Sequence, residues 1–363
     1  MKKILHINSV IYTGGGIIKK IIHLIENDKG NEHVIFFAWY SDPDNKRSDM
    51  IKLLNELGIK FDYIYHNSIW ANIPDFYKYL KNHSYDILHY YTDNVLVLGK
   101  IVQLMGIKTP AVRSLEGFPL YTHFPQKQLV NWAFTSCHHI VSISRFVELR
   151  NCEVYSSLKE CNKTVIYNAP IGNLEIKNII DKRNGLICVG RLDKQKQFNV
   201  AIEIVSILKH KYGRHINLLI VGDGADKPKL IKLTQKLNVS ELVEITGIVD
   251  DPTAYYDSSR IFLHPAYNEG FGLVVTEAMS MGLCVLVSNS GALPEIIENG
   301  KTGYILPLKD AESWAALIDK IYDNKKLLEN LGNAAHKRVN EKFSSELHIK
   351  GYNNFYNSII SEQ

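Results

Sequence analysis

The 363-residue sequence predicts an α/β chain of two doubly wound, parallel-sheet domains. Three observations carry this. Short apolar runs alternate with helix-length amphipathic segments along most of the chain, the pattern of parallel sheets with helices on both faces. The length suits two domains of ordinary size, each able to bury its own core. Residues 261–289 read as a complete strand–helix–strand unit with glycines at the helix start.

In that unit Ile261–Leu263 is a buried strand and Pro265–Glu269 a loop. Gly270–Phe271–Gly272 opens a helix that carries Leu273, Val274, Ala278 and Met279 at helical spacing and ends at Gly282; Cys284–Val287 is the next strand. Open α/β sheets bind ligands at the carboxyl ends of their strands. A helix amino terminus offers unpaired N–H groups and partial positive charge, which suits a phosphate. Gly270 and Gly272 lack a Cβ, so an anion can come close to the backbone. Glu269 precedes the helix and Glu277 lies in its second turn. A carboxylate does not favourably face a phosphate, so two flanking carboxylates point to hydroxyls on both sides of the anion. A nucleotide-sugar has that order: sugar, diphosphate, ribose. Glu277 can accept both ribose hydroxyls in charge-assisted bonds, which leaves Glu269 beside the sugar. The plainer alternative is an ordinary strand–helix–strand unit with a surface Glu and a helix-stabilising Glu, and a short motif alone does not separate the two.

At the amino end, Ile4–Ile7 is a strand, and a helix begins near Ile17 with Ile18, Ile21, Ile22 and Ile25 on one face. Between them Gly14, Gly15 and Gly16 form either a tight turn or a backbone nest for a phosphate or sugar. The spacing is not G-x-G-x-x-G and no acid clearly ends the strand His33–Trp39, which disfavours a dinucleotide site. Further strands are expected at Phe61–Tyr65, Ile87–Tyr91, Ala111–Arg113 and Ile140–Ile143, and helices over 46–57, 73–82, 95–105 and 126–134. Ser144 caps a further helix. The aromatic, partly basic stretch from Ile69 through Trp70, Ile73, Phe76, Tyr77 and Tyr79 to Lys81 reads either as a shallow membrane-contact helix or as core. Polar residues 172–184 form the linker.

The second half opens with the strand Leu186–Val189 and the loop Gly190–Arg191–Leu192 to Lys196. Arg191 can make a forked contact with phosphate, and Lys196 supplies a mobile point charge; alternatively the loop is simply basic and solvated. Phe198–Tyr212 is a helix and Ile216–Val221 a strand that ends in the turn Gly222–Asp223–Gly224. Val243–Ile245 leads to Gly247 and Ile248. A short helix follows Pro294, helices lie near 310–322 and 324–341, and the tail Leu347–Ile360 is amphipathic and aromatic.

Composition excludes several classes. A chain 45% hydrophobic and 22% charged is that of a soluble globular protein. Cys137, Cys152, Cys161, Cys188 and Cys284 form no C-x-x-C pair and no metal-ligand spacing, which fits a reducing compartment. The run after Lys2–Lys3 is too short for a signal peptide, and no apolar stretch approaches the roughly 18 residues of a membrane span. Residues 1–170 hold 19 Lys and Arg against 15 Asp and Glu, which is the whole net charge of +4. That is too weak for a nucleic-acid protein, but it can help a surface rest on anionic lipid.

Glu269–Gly270–Phe271–Gly272 followed by Glu277–Ala278 resembles the E-x-F-G-x-x-x-x-E signature of the family 4 retaining glycosyltransferases. The resemblance extends to Gly190–Arg191–Leu192, Lys196, Gly222–Asp223–Gly224 and the glycines at 14–16. It implies the GT-B fold, two Rossmann-like domains facing a central cleft: residues 1–170 on the acceptor side, residues 171–345 binding the nucleotide-sugar, and residues 346–363 returning to the first domain. It implies a donor site of Gly14, Gly15, Gly16, Arg191, Lys196, Gly247, Ile248, Glu269, Gly270, Phe271, Gly272, Leu273 and Glu277, with Glu269, Arg191 and Lys196 catalytic. It implies no metal and no cofactor, because fixed positive groups take the cation's place. Glu116 stands where many members have a histidine and is the acceptor-side candidate. The expected donor is a UDP-sugar. The expected acceptor is a saccharide, lipid-linked with undecaprenyl as the candidate carrier, in O-antigen or capsule assembly at the inner face of the plasma membrane; a soluble acceptor is the alternative. Two alternatives stay open: a sugar-nucleotide epimerase of the same fold and a non-catalytic nucleotide-sugar-binding subunit.

Overall fold

The computed structural model describes residues 1–9, 16–39, 47–66, 68–172, 174, 176 and 180–362. Two compact units divide the chain: Met1–Asn168 with Glu346–Gln363, and Ala169–Ser345. The linker expected at residues 172–184 falls at the start of the second.

The first unit runs β1 (Lys3–Asn8), α1 (Gly16–Asn27), β2 (Glu32–Trp39), α2 (Arg47–Glu56), β3 (Phe61–Tyr65), α3 (Ile73–Asn82), β4 (Ile87–Tyr90), α4 (Asp93–Leu104), β5 (Ala111–Leu115), α5 (Gln126–Phe134), β6 (His139–Ser142), α6 (Arg145–Val154) and β7 (Asn162–Val165). Its seven strands lie in the order β3-β2-β1-β4-β5-β6-β7, every pair parallel. Both faces are covered, so the central strands read as nearly unbroken apolar runs. On one face Ile18 and Ile21 of α1 and Met50 and Leu54 of α2 pack on Ile35 and Phe37. Ser144 caps α6, its hydroxyl accepting from the Val147 N–H at 3.1 Å. The stretch from Ile69 to Lys81 is mainly core: Phe76 is buried against Phe36 with ring centres 5.1 Å apart, and Leu80 is buried, while Trp70 stays 50% exposed. The sequence does not announce β7, an edge strand of Asn-Lys-Thr-Val whose burial merely alternates.

The second unit runs β8 (Leu186–Val189), α7 (Phe198–Tyr212), β9 (Leu218–Val221), α8 (Lys227–Lys236), β10 (Val243–Gly247), α9 (Thr253–Ser258), β11 (Ile261–His264), α10 (Leu273–Ser280), β12 (Cys284–Ser288), α11 (Leu293–Ile296), β13 (Tyr304–Leu306), α12 (Ala311–Ile321) and α13 (Lys325–Lys342). The order β10-β9-β8-β11-β12-β13 is again parallel throughout. Leu186, Leu218, Leu263 and Leu286 meet Ile202 and Val205 of α7 and Trp314 of α12 in one core. Trp314 is fully buried and its indole N–H donates to the Pro307 carbonyl at 2.9 Å.

The last helix, α14 (Ser345–Ser361), belongs to the first unit. Its Tyr352, Phe355, Tyr356 and Ile359 pack on Ile4, Ile87, Val112, Val141 and Ile166, beside α1 on the sheet face that α1 and α2 also cover. No helix among the described residues is long and apolar enough to cross a membrane.

Candidate donor site

In the second unit the strand order reverses between β8 and β11, which places the loops after these two strands side by side at a topological switch point. The Arg191–Gln197 loop and the loop before Glu269 are tied by their own backbone. The Tyr267 N–H donates to the Gln195 carbonyl at 2.7 Å, and the Gln195 side-chain amide donates to the Asn268 carbonyl at 2.8 Å. A third loop, after β12, clasps Glu269 from the other side. The Ala292 N–H donates to the Glu269 carbonyl at 2.8 Å, and the Asn268 N–H donates to Ser290 Oγ at 2.9 Å. Gly291, at φ +65°, sits so close that a Cβ there would lie 2.2 Å from the Glu269 carbonyl oxygen. Only glycine fits that backbone and that distance.

So held, the Glu269 carboxylate meets two partners at one oxygen. Lys196 Nζ lies 2.5 Å from Oε2 and His264 Nε2 lies 2.9 Å from the same atom. Burial alone would raise the Glu269 pKa. The Lys196 ammonium and the His264 N–H outweigh it and hold the carboxyl well below its ordinary range. The His264 imidazole is fully buried at the end of β11. Burial and the Lys196 charge keep its pKa below the ordinary value against the pull of Glu269, so the ring is neutral at pH 7 and Nε2 donates. Sequence reasoning missed His264; its one signal is a polar residue closing the apolar strand Ile-Phe-Leu-His.

α10 begins at Leu273, not at Gly270 as the sequence suggests. Gly272 is its cap residue at φ +99°, left-handed backbone that stops the helix from extending toward Glu269. No side chain caps α10, so its first N–H groups face the loop side without an intrahelical partner. Phe271 is 2% exposed and stacks edge-to-face on Phe343, ring centres 5.8 Å apart. Its side chain therefore anchors the loop in the core, and only its backbone is left for a ligand. One turn on, Glu277 accepts from the hydroxyl of buried Tyr256 at 3.0 Å. Burial and then the Glu277 charge push that hydroxyl well above its ordinary pKa, so it remains a donor.

The other expected donor residues fall around this centre unequally. The Arg191 side chain is 73% exposed and pairs with Asp193 at 2.5 Å. Gly247 closes β10 at φ +84° and bridges to Gly222, and Ile248 is 80% exposed. Leu273 is the first residue of α10. Gly14 and Gly15 lie outside the described residues, and Gly16 opens α1 in the first unit with open space where a Cβ would stand. Among the described residues no three His, Cys, Asp or Glu gather as a metal site would need.

Glu116, in the first unit, is the counter-ion of a buried lysine. It pairs with Lys20, whose side chain is 5% exposed against 8% for Glu116. Burial would lower the Lys20 pKa, but Glu116 and Tyr352 more than offset it, and the ammonium persists. A hydrogen-bond chain lies beside this pair: Asp28 to His33 at 3.0 Å, His33 to His6 at 2.8 Å and His6 to Tyr91 at 2.9 Å. His89 joins Tyr356 of α14 at 2.8 Å and Ser114 at 2.7 Å.

With this geometry in view, known proteins can be set beside the chain. The family model for glycosyl transferases group 1 matches residues 173–338. The capsular polysaccharide biosynthesis glycosyltransferase CapM of Staphylococcus aureus is 26% identical over 72% of this chain and 71% of its own length. The O-antigen biosynthesis glycosyltransferase WclY of Escherichia coli is 26% identical over 78% of this chain and 82% of its own. Among solved structures, HepE of Anabaena in complex with UDP and glucose superposes with a TM-score of 0.83 at 16% identity, covering 99% of this chain and all of that one. That likeness shows a shared fold of two parallel-sheet α/β units, the GT-B fold. Residues 173–338, within the second unit, match glycosyl transferases group 1.

Proposed function

We propose that this chain is a retaining, family 4 type glycosyltransferase that moves a hexose-type sugar from a UDP-sugar to a lipid-linked saccharide in surface polysaccharide assembly. The observation that carries the reading is Glu269: an ionised carboxylate, nearly buried, fixed by Lys196 and His264 one turn before an uncapped helix start. On this reading Glu269 faces the sugar and stabilises positive charge growing at its anomeric carbon. Lys196, Arg191 and the first N–H groups of α10 take up negative charge on the departing diphosphate. Glu277, oriented by Tyr256, receives the ribose hydroxyls. These residues supply the positive charge that a divalent cation would otherwise bring, so no metal is required. CapM and WclY support the polysaccharide context by their names, and HepE supports UDP as the nucleotide by its ligand. An acceptor at a lipid surface suits the positive first half of the sequence, which points to a cytoplasmic protein resting on the inner face of the plasma membrane.

The test is a panel of nucleotide-sugars assayed by nucleotide release with a lipid-linked acceptor extract. Glu269→Gln should lower turnover at least about a hundredfold while leaving UDP affinity within a few fold; equal losses in both would refute the assignment. Activity should survive EDTA, and loss restored by Mn²⁺ would overturn the metal-free reading.

A further inference from the structure

We propose that the first unit carries a docking surface for an anionic bilayer, built on the cleft between α4 and α5, an inference that rests on the lipid-linked acceptor above and names the surface that would meet the lipid. The cleft holds about 170 Å³ and is lined mainly by the apolar side chains of Trp70, Val97, Leu98, Leu129 and Val130, with Tyr121, Asn94 and Gln126 supplying polar atoms. The elements that line it also expose side chains that folded chains usually hide: Leu120 is 77% exposed, Phe124 79% and Leu104 68%. Scattered singly, such residues mean little, but gathered into one patch they mark an interaction site. Here they are gathered. Val97, Lys100 and Leu104 follow one another at helical spacing on one face of α4, and Leu129 and Trp132 do so on α5. The Lys100 ammonium stands 5.9 Å from the Trp132 ring centre and joins the two stripes. Leu120 and Phe124 flank Tyr121 in the loop that enters α5.

The charge pattern decides the occupant. Residues 94–135 contain Lys100, Lys108, Arg113 and Lys127 and a single carboxylate, Glu116. Arg113 is buried with Asp93, and Glu116 is buried with Lys20. Every exposed formal charge in the segment is therefore positive. Asp75 on the adjoining α3 is exposed and hydrogen-bonded to His66 at 2.8 Å. Bulky apolar and tryptophan side chains beside Lys100, in a segment whose exposed formal charges are all positive, match a headgroup layer, where the apolar groups enter the acyl boundary and the ammonium groups meet lipid phosphates.

The full chain should sediment with vesicles of phosphatidylcholine and phosphatidylglycerol at least about tenfold more strongly than with phosphatidylcholine alone, and added salt should weaken the association. The pair Leu120→Ser with Phe124→Ser should lower partitioning at least about tenfold, as should Lys100→Gln with Lys127→Gln. Brominated acyl chains should quench tryptophan emission in the wild type only. All variants should keep the wild-type circular dichroism spectrum and the wild-type rate of nucleotide release with a soluble acceptor, since none of these residues lies at the donor site. Absence of wild-type binding to anionic vesicles, or binding untouched by both pairs, would overturn the proposal. So would self-association abolished by the serine pair, which would make a second copy the occupant. A chain that binds vesicles through this surface yet turns over no nucleotide-sugar would refute the preceding enzymatic reading and leave the docking surface standing.

Discussion

Replacing Lys196 with methionine isolates the electrostatics of the donor site without any substrate. In the wild type the Glu269 side chain is 12% exposed and that of Lys196 17%, with 2.5 Å between the charges. Removing one partner of a buried pair costs about 3–5 kcal/mol, because the other charge stays behind uncompensated. His264 still donates to Glu269 at 2.9 Å in the variant, so the lower end, about 3 kcal/mol, is expected at pH 7. Glu269→Gln in the same background removes the stranded charge and should recover most of that loss, a coupling on the order of 2 kcal/mol. The pH dependence has a definite sign. A depressed carboxyl pKa gives stability that is present above the unfolded value and lost as pH falls through the folded one. In the wild type Glu269 sits well below the ordinary 4.5, so this contribution survives into strong acid. In Lys196→Met, burial instead pushes the carboxyl up, it takes up a proton sooner, and the deficit relative to wild type shrinks as pH falls from 7 toward 5. Urea unfolding reads this out if Trp39, Trp70 and Trp132 are changed to Phe, since Trp314 is the second unit's own buried tryptophan. A deficit below about 1 kcal/mol, a deficit flat in pH, or no recovery in the double variant would refute the reasoning.

Three other outcomes are expected. Tyr256→Phe removes the 3.0 Å donor to Glu277 and should weaken UDP binding about tenfold by calorimetry, about 1.4 kcal/mol; unchanged affinity would detach Glu277 from the ribose. Gly291→Ala, with its Cβ 2.2 Å from the Glu269 carbonyl oxygen, should displace the loop, lower the melting temperature and reduce turnover at least about a hundredfold; wild-type kinetics would show that the loop tolerates the shift. In the first unit, burial holds the pKa values of His6, His33 and His89 below the ordinary 6.5. The unfolded chain therefore binds protons first as pH drops through that value, so stability should fall between pH 7.5 and 5.5. His6→Asn should flatten the slope in urea titrations.

The parts of the fold legible in the sequence were those whose burial imposes a period. Phe198–Tyr212 and the helix from Gln126 to Phe134 were readable to the residue because one face is apolar and the flanks are polar. β7 and β13 were not, being a polar edge strand and a three-residue strand with too little pattern to register. α8 begins Lys-Pro-Lys and buries only Leu230 and Thr234, so its period is faint. At the site, the two glutamates and Lys196 were visible through spacing, yet their pairing depends on residues 73 apart in sequence. His264 was hidden because a single polar residue in a buried strand carries no period. Glu116 looked available only because its partner, Lys20, sits on a helix 96 residues earlier.

The position of α14 bears on how the molecule is made. Synthesis delivers the seven strands of the first unit before the second unit, but the helix that seals Ile4, Ile87 and Val112 and completes the Tyr356–His89 bond is made only after the whole second unit. The second unit, Ala169–Ser345, is contiguous and can finish on its own. The usual vectorial order, in which the amino-terminal domain matures first, is thereby inverted, and a stalled or clipped nascent chain would release a finished second unit attached to an open sheet that chaperones must recognise.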